Sequence, residues 1–326
     1  MTPFSLEPIE QKHAETSDSG PAVEHSSINA ADCDFDDVPD GGMWAYMAIL
    51  GGWLVEFTTF GYSTSFGIFQ DYYTVTSSSS SSNISWIGSI QLFLFSAGGL
   101  PAGWLFDAGY SRYIFISGSL LFSFCIFMLS LANPHQYYQL LLSQAIGMGI
   151  GGGFLLTPAC SIQSHYWRKY RAIALGSSCG SIVFPIMLNR LFYGRAGFAW
   201  GIAILNAGSV FGRVIPSIAA DYMGQLNVIG PIALICSALI FALFGAVRAA
   251  PVVVWTVLYG FFSGSCLSLF PSVFAYLAND TGEVGLRTGL GFFVLAFAML
   301  TGTPIDGALL GDDYSWYKAL IFSGIR

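Results

Sequence analysis

Glu56 and Arg213 each stand inside a long apolar run that also carries glycines, at 43–69 and 197–220. A permanently charged guanidinium costs a few kcal/mol or more to hold in hydrocarbon unless something pairs with it, and a carboxylate there either finds a partner or takes up a proton. Two chemistries follow: the acid can bind and release a proton, and the guanidinium can receive an anionic group or stack on a planar ring. The plainer alternatives are a structural ion pair between the two, or a Glu56 that stays neutral. Ser209 and Asn206, in the same run as Arg213, are further candidates for its site. The nearby aromatics Trp53, Phe57, Phe60 and Tyr62 suit either stacking on a planar ligand or plain packing.

No nucleotide-binding loop of the Walker type, metal-ligand cluster or nucleophile elbow occurs in any loop long enough to hold a catalytic domain. An enzyme is not expected, nor a cofactor, a metal site or a nucleic-acid partner. Cys125, Cys160, Cys179, Cys236 and Cys266 lie in or beside apolar blocks and Cys33 lies near the N-terminus, so the cysteines read as small hydrophobes and not as a disulfide framework.

The elements that must hold these groups follow from composition. Charged residues make up 10% of the chain and hydrophobic ones 54%, in long blocks without soluble-type alternation, which predicts an all-α polytopic membrane protein. With about 20 apolar residues needed to cross roughly 30 Å of hydrocarbon, the candidate spans are 43–69, 84–106, 113–133, 137–160, 171–192, 197–220, 227–247, 251–277 and 286–310, with a partial span from Trp316. Residues 1–42 hold ten acids against Lys12 alone, almost no aromatics and many Ser, Ala and Asp, and are expected to be a disordered cytosolic tail. Residues 43–192 then form an N-terminal transmembrane bundle and 193–326 an incomplete C-terminal one.

Orientation rests on basic loops, which prefer the cytosol. The segment His165–Arg171 contains Arg168, Lys169 and Arg171; placing it inside puts the N-terminus, Arg112 and Arg287 inside, and Arg190, Arg195, Arg248 and Lys318 outside. The sequon Asn83-Ile84-Ser85 then falls on the luminal or extracellular side, where Asn83 is a candidate for glycosylation. A multi-pass protein of the plasma membrane with a cytosolic N-terminus is the expectation.

Between the second and third spans, Gly103-Trp104-Leu105-Phe106-Asp107-Ala108-Gly109-Tyr110-Ser111-Arg112 makes a tight turn. Its acid suits a cap on the following helix and its base a nearby partner, a latch able to follow a conformational change. Ala220-Asp221-Tyr222-Met223-Gly224 echoes it with Gln225 in place of the base, as two repeated halves would. Each can also be a plain Asp-capped loop.

The first of these turns resembles the loop after the second helix of the major facilitator superfamily. Asp40-Gly41-Gly42-Met43-Trp44-Ala45-Tyr46 resembles the entry to helix one of its monocarboxylate porter family, and Tyr166-Trp167-Arg168-Lys169-Tyr170-Arg171, continuing to Gly176 and Gly180, resembles that family's signature entering helix five. Asn206-Ala207-Gly208-Ser209-Val210-Phe211-Gly212-Arg213 is similar to helix eight of its fungal members, and Gly302-Thr303-Pro304-Ile305-Asp306-Gly307 to helix eleven. The resemblance runs from about residue 38 to the end.

It implies a major-facilitator-type bundle and secondary transport of a small organic solute: an organic anion, a vitamin, or a secondary metabolite moved by efflux. Arg213 matches the helix-eight arginine that meets an anionic substrate. The expected partners are that solute, protons if the carrier is coupled, and the lipid bilayer, with the oligomeric state open. The departures are specific. The acid that animal members carry one turn before this arginine is Ser209 here, and their helix-one lysine has no counterpart near Ser65, so lactate-type transport is not expected. Gly197-Phe198-Ala199-Trp200 resembles the start of helix six, whereas residues from about Ile204 resemble helix eight, so helices six and seven are expected to be missing at a junction near Gly201, and the end of helix twelve is also expected to be missing. The alternatives to a carrier are a non-transporting membrane sensor or scaffold, or a truncated remnant.

Overall fold

The computed structural model of the chain describes residues 40–76, 81–178, 196–243, 249–278, 280–310 and 321–322. The acidic tail up to residue 39, Cys33, Cys179, Arg190, Arg195, Arg248, Lys318, most of the expected span 171–192 and most of the partial span from Trp316 lie outside the described residues.

The first span is broken into α1 Met43–Thr58, α2 Phe60–Thr64 and α3 Phe66–Thr76. Hydroxyls explain the breaks. Thr59, Ser63 and Ser65 each donate to the carbonyl four residues back, on Val55, Thr59 and Gly61, a bond that competes with regular helical pairing and bends the backbone. The second span is α4 Ser81–Ala97 and α5 Gly99–Asp107, interrupted at Gly98 because Pro101 cannot donate to the carbonyl of Ala97. Then follow α6 Ser111–Leu131 and α7 Tyr137–Leu140, the latter running through a π-helical stretch Leu141–Gly147 into α8 Met148–Ser164. The remaining helices are α9 Arg171–Ser178, α10 Ala196–Met223, α11 Gln225–Ala242, α12 Ala249–Tyr276 and α13 Val284–Leu310. The expected junction near Gly201 falls inside α10, which runs unbroken through it.

Six segments among the described residues are long and apolar enough to cross a membrane, and their burial sets each one's place. Tyr137–Ser164 forms the centre of the bundle, with 72% of its apolar 18-residue stretch buried; Gln225–Ala242, with 11%, lies at the periphery. Close packing comes from small residues. In α10 and α12, which run parallel, a Cβ at Gly212 would fall 1.9 Å from the Phe261 carbonyl oxygen and one at Gly260 2.1 Å from that of Leu205, so the two backbones touch where any side chain would separate them.

Candidate functional site between the helices

The end of the bundle where α5, α10 and α12 finish and α9 and α13 begin is tied together by charged groups reaching backbone. Asp107, the last residue of α5, accepts from Gly285 N at 2.9 Å and Leu286 N at 2.6 Å, in the first turn of α13. Asp221 on α10 accepts from Ala172 N at 3.0 Å and Ile173 N at 3.1 Å, in the first turn of α9. The two acids thus bind the second and third amides of a helix in the other half of the chain, donors that have no partner inside their own helix.

This corrects the expectation that Asp107 caps the helix following its own turn. Gly109, at φ 86°, closes α5 instead: Gly109 N and Tyr110 N return to the carbonyls of Phe106 and Leu105, and the carboxylate is left free to reach across to α13. Gly224, at φ 91°, ends α10 in the same manner with a bond to Ala220 O. Arg112 is exposed at the start of α6.

Asp40 and the basic segment, singled out separately in the sequence, meet. The Asp40 carboxylate accepts from Arg168 N at 2.6 Å and Lys169 N at 2.8 Å, just ahead of Gly41 and the start of α1. Trp167 packs edge-on against Tyr46 with ring centroids 5.6 Å apart. Arg171 is buried, and its guanidinium donates to Ala275 O at 2.9 Å, placing positive charge at the carbonyl end of α12. Arg287 pairs with Glu283 at 2.7 Å and also donates to Leu277 O.

Deeper in the bundle, Glu56 on α1 and Arg213 on α10 are 6% and 5% exposed, and the guanidinium lies within electrostatic reach of the carboxylate. Cys160 on α8 donates its thiol to Glu56 Oε1 at 3.9 Å. Arg213 Nε donates to Ser209 Oγ at 3.3 Å, so the serine that replaces the family's acid is a direct partner of the cation. Gly176 on α9 presses against α10 here, where an added Cβ would lie 2.5 Å from Arg213 O. Four elements therefore converge on one acid and one cation. Asn206 lies on α10, with its side chain outside the described residues.

Among the aromatics, Trp53 and Phe57 stack on one another at 5.5 Å, Phe60 packs on Phe95 and Tyr62 on Phe69. Cys160 was not legible as a site residue, since nothing in the sequence distinguishes it from the other apolar-block cysteines. Asn83 is exposed in the first turn of α4, whereas Ser85 of its sequon is buried and accepts from Gln70 Nε2 at 2.9 Å. Among the described residues, no group of three or more His, Cys, Asp or Glu could hold a metal ion.

A membrane-spanning helical bundle with a buried acid and cation at its centre, closed at one end by crossed helix caps, has the form of a solute carrier. No family model matches the chain. It is 32% identical to an aspyridones efflux protein of Emericella nidulans over 87% of this chain and 76% of that protein. It is also 32% identical to an MFS transporter of Aspergillus flavus, over 89% and 86% respectively, and 28% identical to an agnestins efflux protein of Paecilomyces divaricatus, over 86% and 84%. The chain belongs to the MFS-type transporters, the major facilitator superfamily.

Proposed function

We propose that this chain is a secondary active transporter of the monocarboxylate-porter-like type and that it carries a small organic secondary metabolite out of the cell. The observation behind the reading is the buried cluster of Glu56, Cys160, Ser209 and Arg213, which draws an acid and a cation from separate helices into one place. Arg213 receives the anionic or planar part of the solute, with Asn206 and Ser209 beside it; Glu56 takes the proton exchanged for it. Efflux is favoured over uptake by the names of the relatives from Emericella nidulans and Paecilomyces divaricatus.

Asp107 and Asp221 act as latches on one closed end, held by backbone amides that release when the halves part. That end faces the cytosol, with Gly109 and Arg112 in its turn and Arg168, Lys169 and Arg171 in its basic loop, and Asn83 carries a glycan on the opposite side of the plasma membrane. Helices six and seven of the twelve-helix arrangement are absent. Support comes from alignment length: the match to the Aspergillus flavus protein runs over 384 residues, longer than this 326-residue chain, so that protein has internal residues with no counterpart here.

The test is metabolite distribution. In the organism that encodes the chain, deletion is expected to shift at least one metabolite from medium to cells, as read by mass spectrometry of both. The wild-type chain restores export, whereas Arg213→Ala and Glu56→Gln do not. An unchanged distribution, with the chain present in the membrane, would overturn transport and favour the sensor or remnant.

A further inference from the structure

α8 presents a ladder of buried polar groups that no step so far uses. Ser161 and Ser164 are 1% and 0% exposed, and neither hydroxyl has a hydrogen-bond partner among the described residues; the same holds for Nε2 of His165, the partly exposed residue that ends the helix. Buried polar atoms are almost always satisfied, so orphans in a row require an explanation. Their spacing supplies one. Cys160 and Ser164 stand four apart, as do Ser161 and His165, so the four form two adjoining rows down one side of α8, and Cys160 at the top is the residue bonded to Glu56.

Residues three or four apart on a helix have Cβ atoms about 5–6 Å apart. Two hydrogen bonds of about 2.8 Å through one water span that gap. Such a site is polar on both sides, as buried water requires.

We propose that Ser161, Ser164 and His165, bridged by water, form the proton route between Glu56 and the end of the bundle that carries the basic loop. This rests on the reading of Glu56 as a proton-binding group. Along the route each hydroxyl or water passes its own proton forward as it accepts one from behind, so no bond changes in net and one proton moves between bulk water and the carboxylate. The groups facing the two termini fit. Glu56 meets Cys160 from α8 and the Arg213 charge from α10. His165 lies against the Phe106 ring of α5 at 5.6 Å and near Arg171 of α9, itself flanked by Arg168, Asp221 and Asp40. Burial first, then Arg171, holds the His165 imidazole below its ordinary value, so near neutral pH it is uncharged and able to relay.

The experiment needs no knowledge of the solute. Protons released by a flash from a caged compound are followed by time-resolved infrared spectroscopy of the purified full chain, in the carboxylic C=O region. The Glu56 band is the one lost in Glu56→Gln. Ser161→Ala/Ser164→Ala is expected to slow the rise of that band about tenfold or more without changing its final height. Ser161→Thr/Ser164→Thr, which keeps both hydroxyls, is expected to restore the rate, and Ser164→Ala alone gives the smaller perturbation if the double variant does not fold. Thr157→Val, one turn beyond Glu56's partner on α8, is expected to leave the rate unchanged. A rise indifferent to both serines sinks the route while leaving Glu56 as a proton site; so does an equal slowing by Thr157→Val. A spectrum with no band that depends on Glu56 sinks the route and the proton role together.

Discussion

His165 shows how one half-buried residue couples the closed end of the bundle to pH. Its imidazole is held below 6.5, the ordinary value, by burial and by Arg171. In the window between the folded value and 6.5 the unfolded chain binds more protons than the folded one, so stability rises with pH through that window and falls as pH drops through it. Thermal unfolding of the purified chain between about pH 5 and 7 is expected to show this loss on the acid side, and His165→Asn to flatten it. An equal slope in the variant would assign the dependence to another group. Glu56 and Arg213 were legible in the sequence because the cost of a charge in hydrocarbon marks them without any knowledge of the fold. Cys160 was not, since a thiol in an apolar block looks like packing until a carboxylate is seen beside it. The hydroxyls of Ser161 and Ser164, without a partner among the described residues, were equally hidden, because satisfaction is a property of neighbours and not of residue type.

At the scale of elements, the two crossed caps decide which helices are held together. A carboxylate on a helix N-terminus contributes about 0.5–2 kcal/mol when partly buried. Asp107→Asn and Asp221→Asn each keep an acceptor but lose the charge. Each is expected to weaken its joint by about 1 kcal/mol, roughly a fivefold rise in the population with that end open. A cysteine introduced at buried Ser272 on α12, in a chain otherwise free of cysteine, would report it through a faster reaction with a water-soluble maleimide. Equal labelling in wild type and variants would remove the latch role. An acid followed two or three residues later by glycine, at Asp107 and Gly109 and at Asp221 and Gly224, made the echo between the two turns visible in the sequence. The helices they hold were not visible, since the bond from Asp107 to Leu286 spans 179 positions and local spacing favours the next helix. Likewise the first span read as one helix, because its hydroxyls are apolar enough to pass as span residues while their bonds to carbonyls break it at Thr59 and Ser65.

For the whole molecule, composition alone was enough to define an all-α membrane bundle, since blocks of apolar residues at this length admit few other structures. Single cysteines at Arg168 and Met223 are expected to react with an impermeant maleimide only from the cytosolic side, and Asn83→Gln to raise gel mobility by removing a glycan from the opposite side. Labelling of the two cysteines from opposite faces would overturn the proposed threading. The crossed caps carry one last implication, about how such a joint can change over generations. Asp107 and Asp221 grip main-chain amides, and every residue except proline supplies the same amide. The grip itself therefore asks nothing of the side chains it holds, and what keeps those positions small is room: an added Cβ at Gly285 would lie 2.6 Å from Asp107 Oδ1, and Ala172 is fully buried.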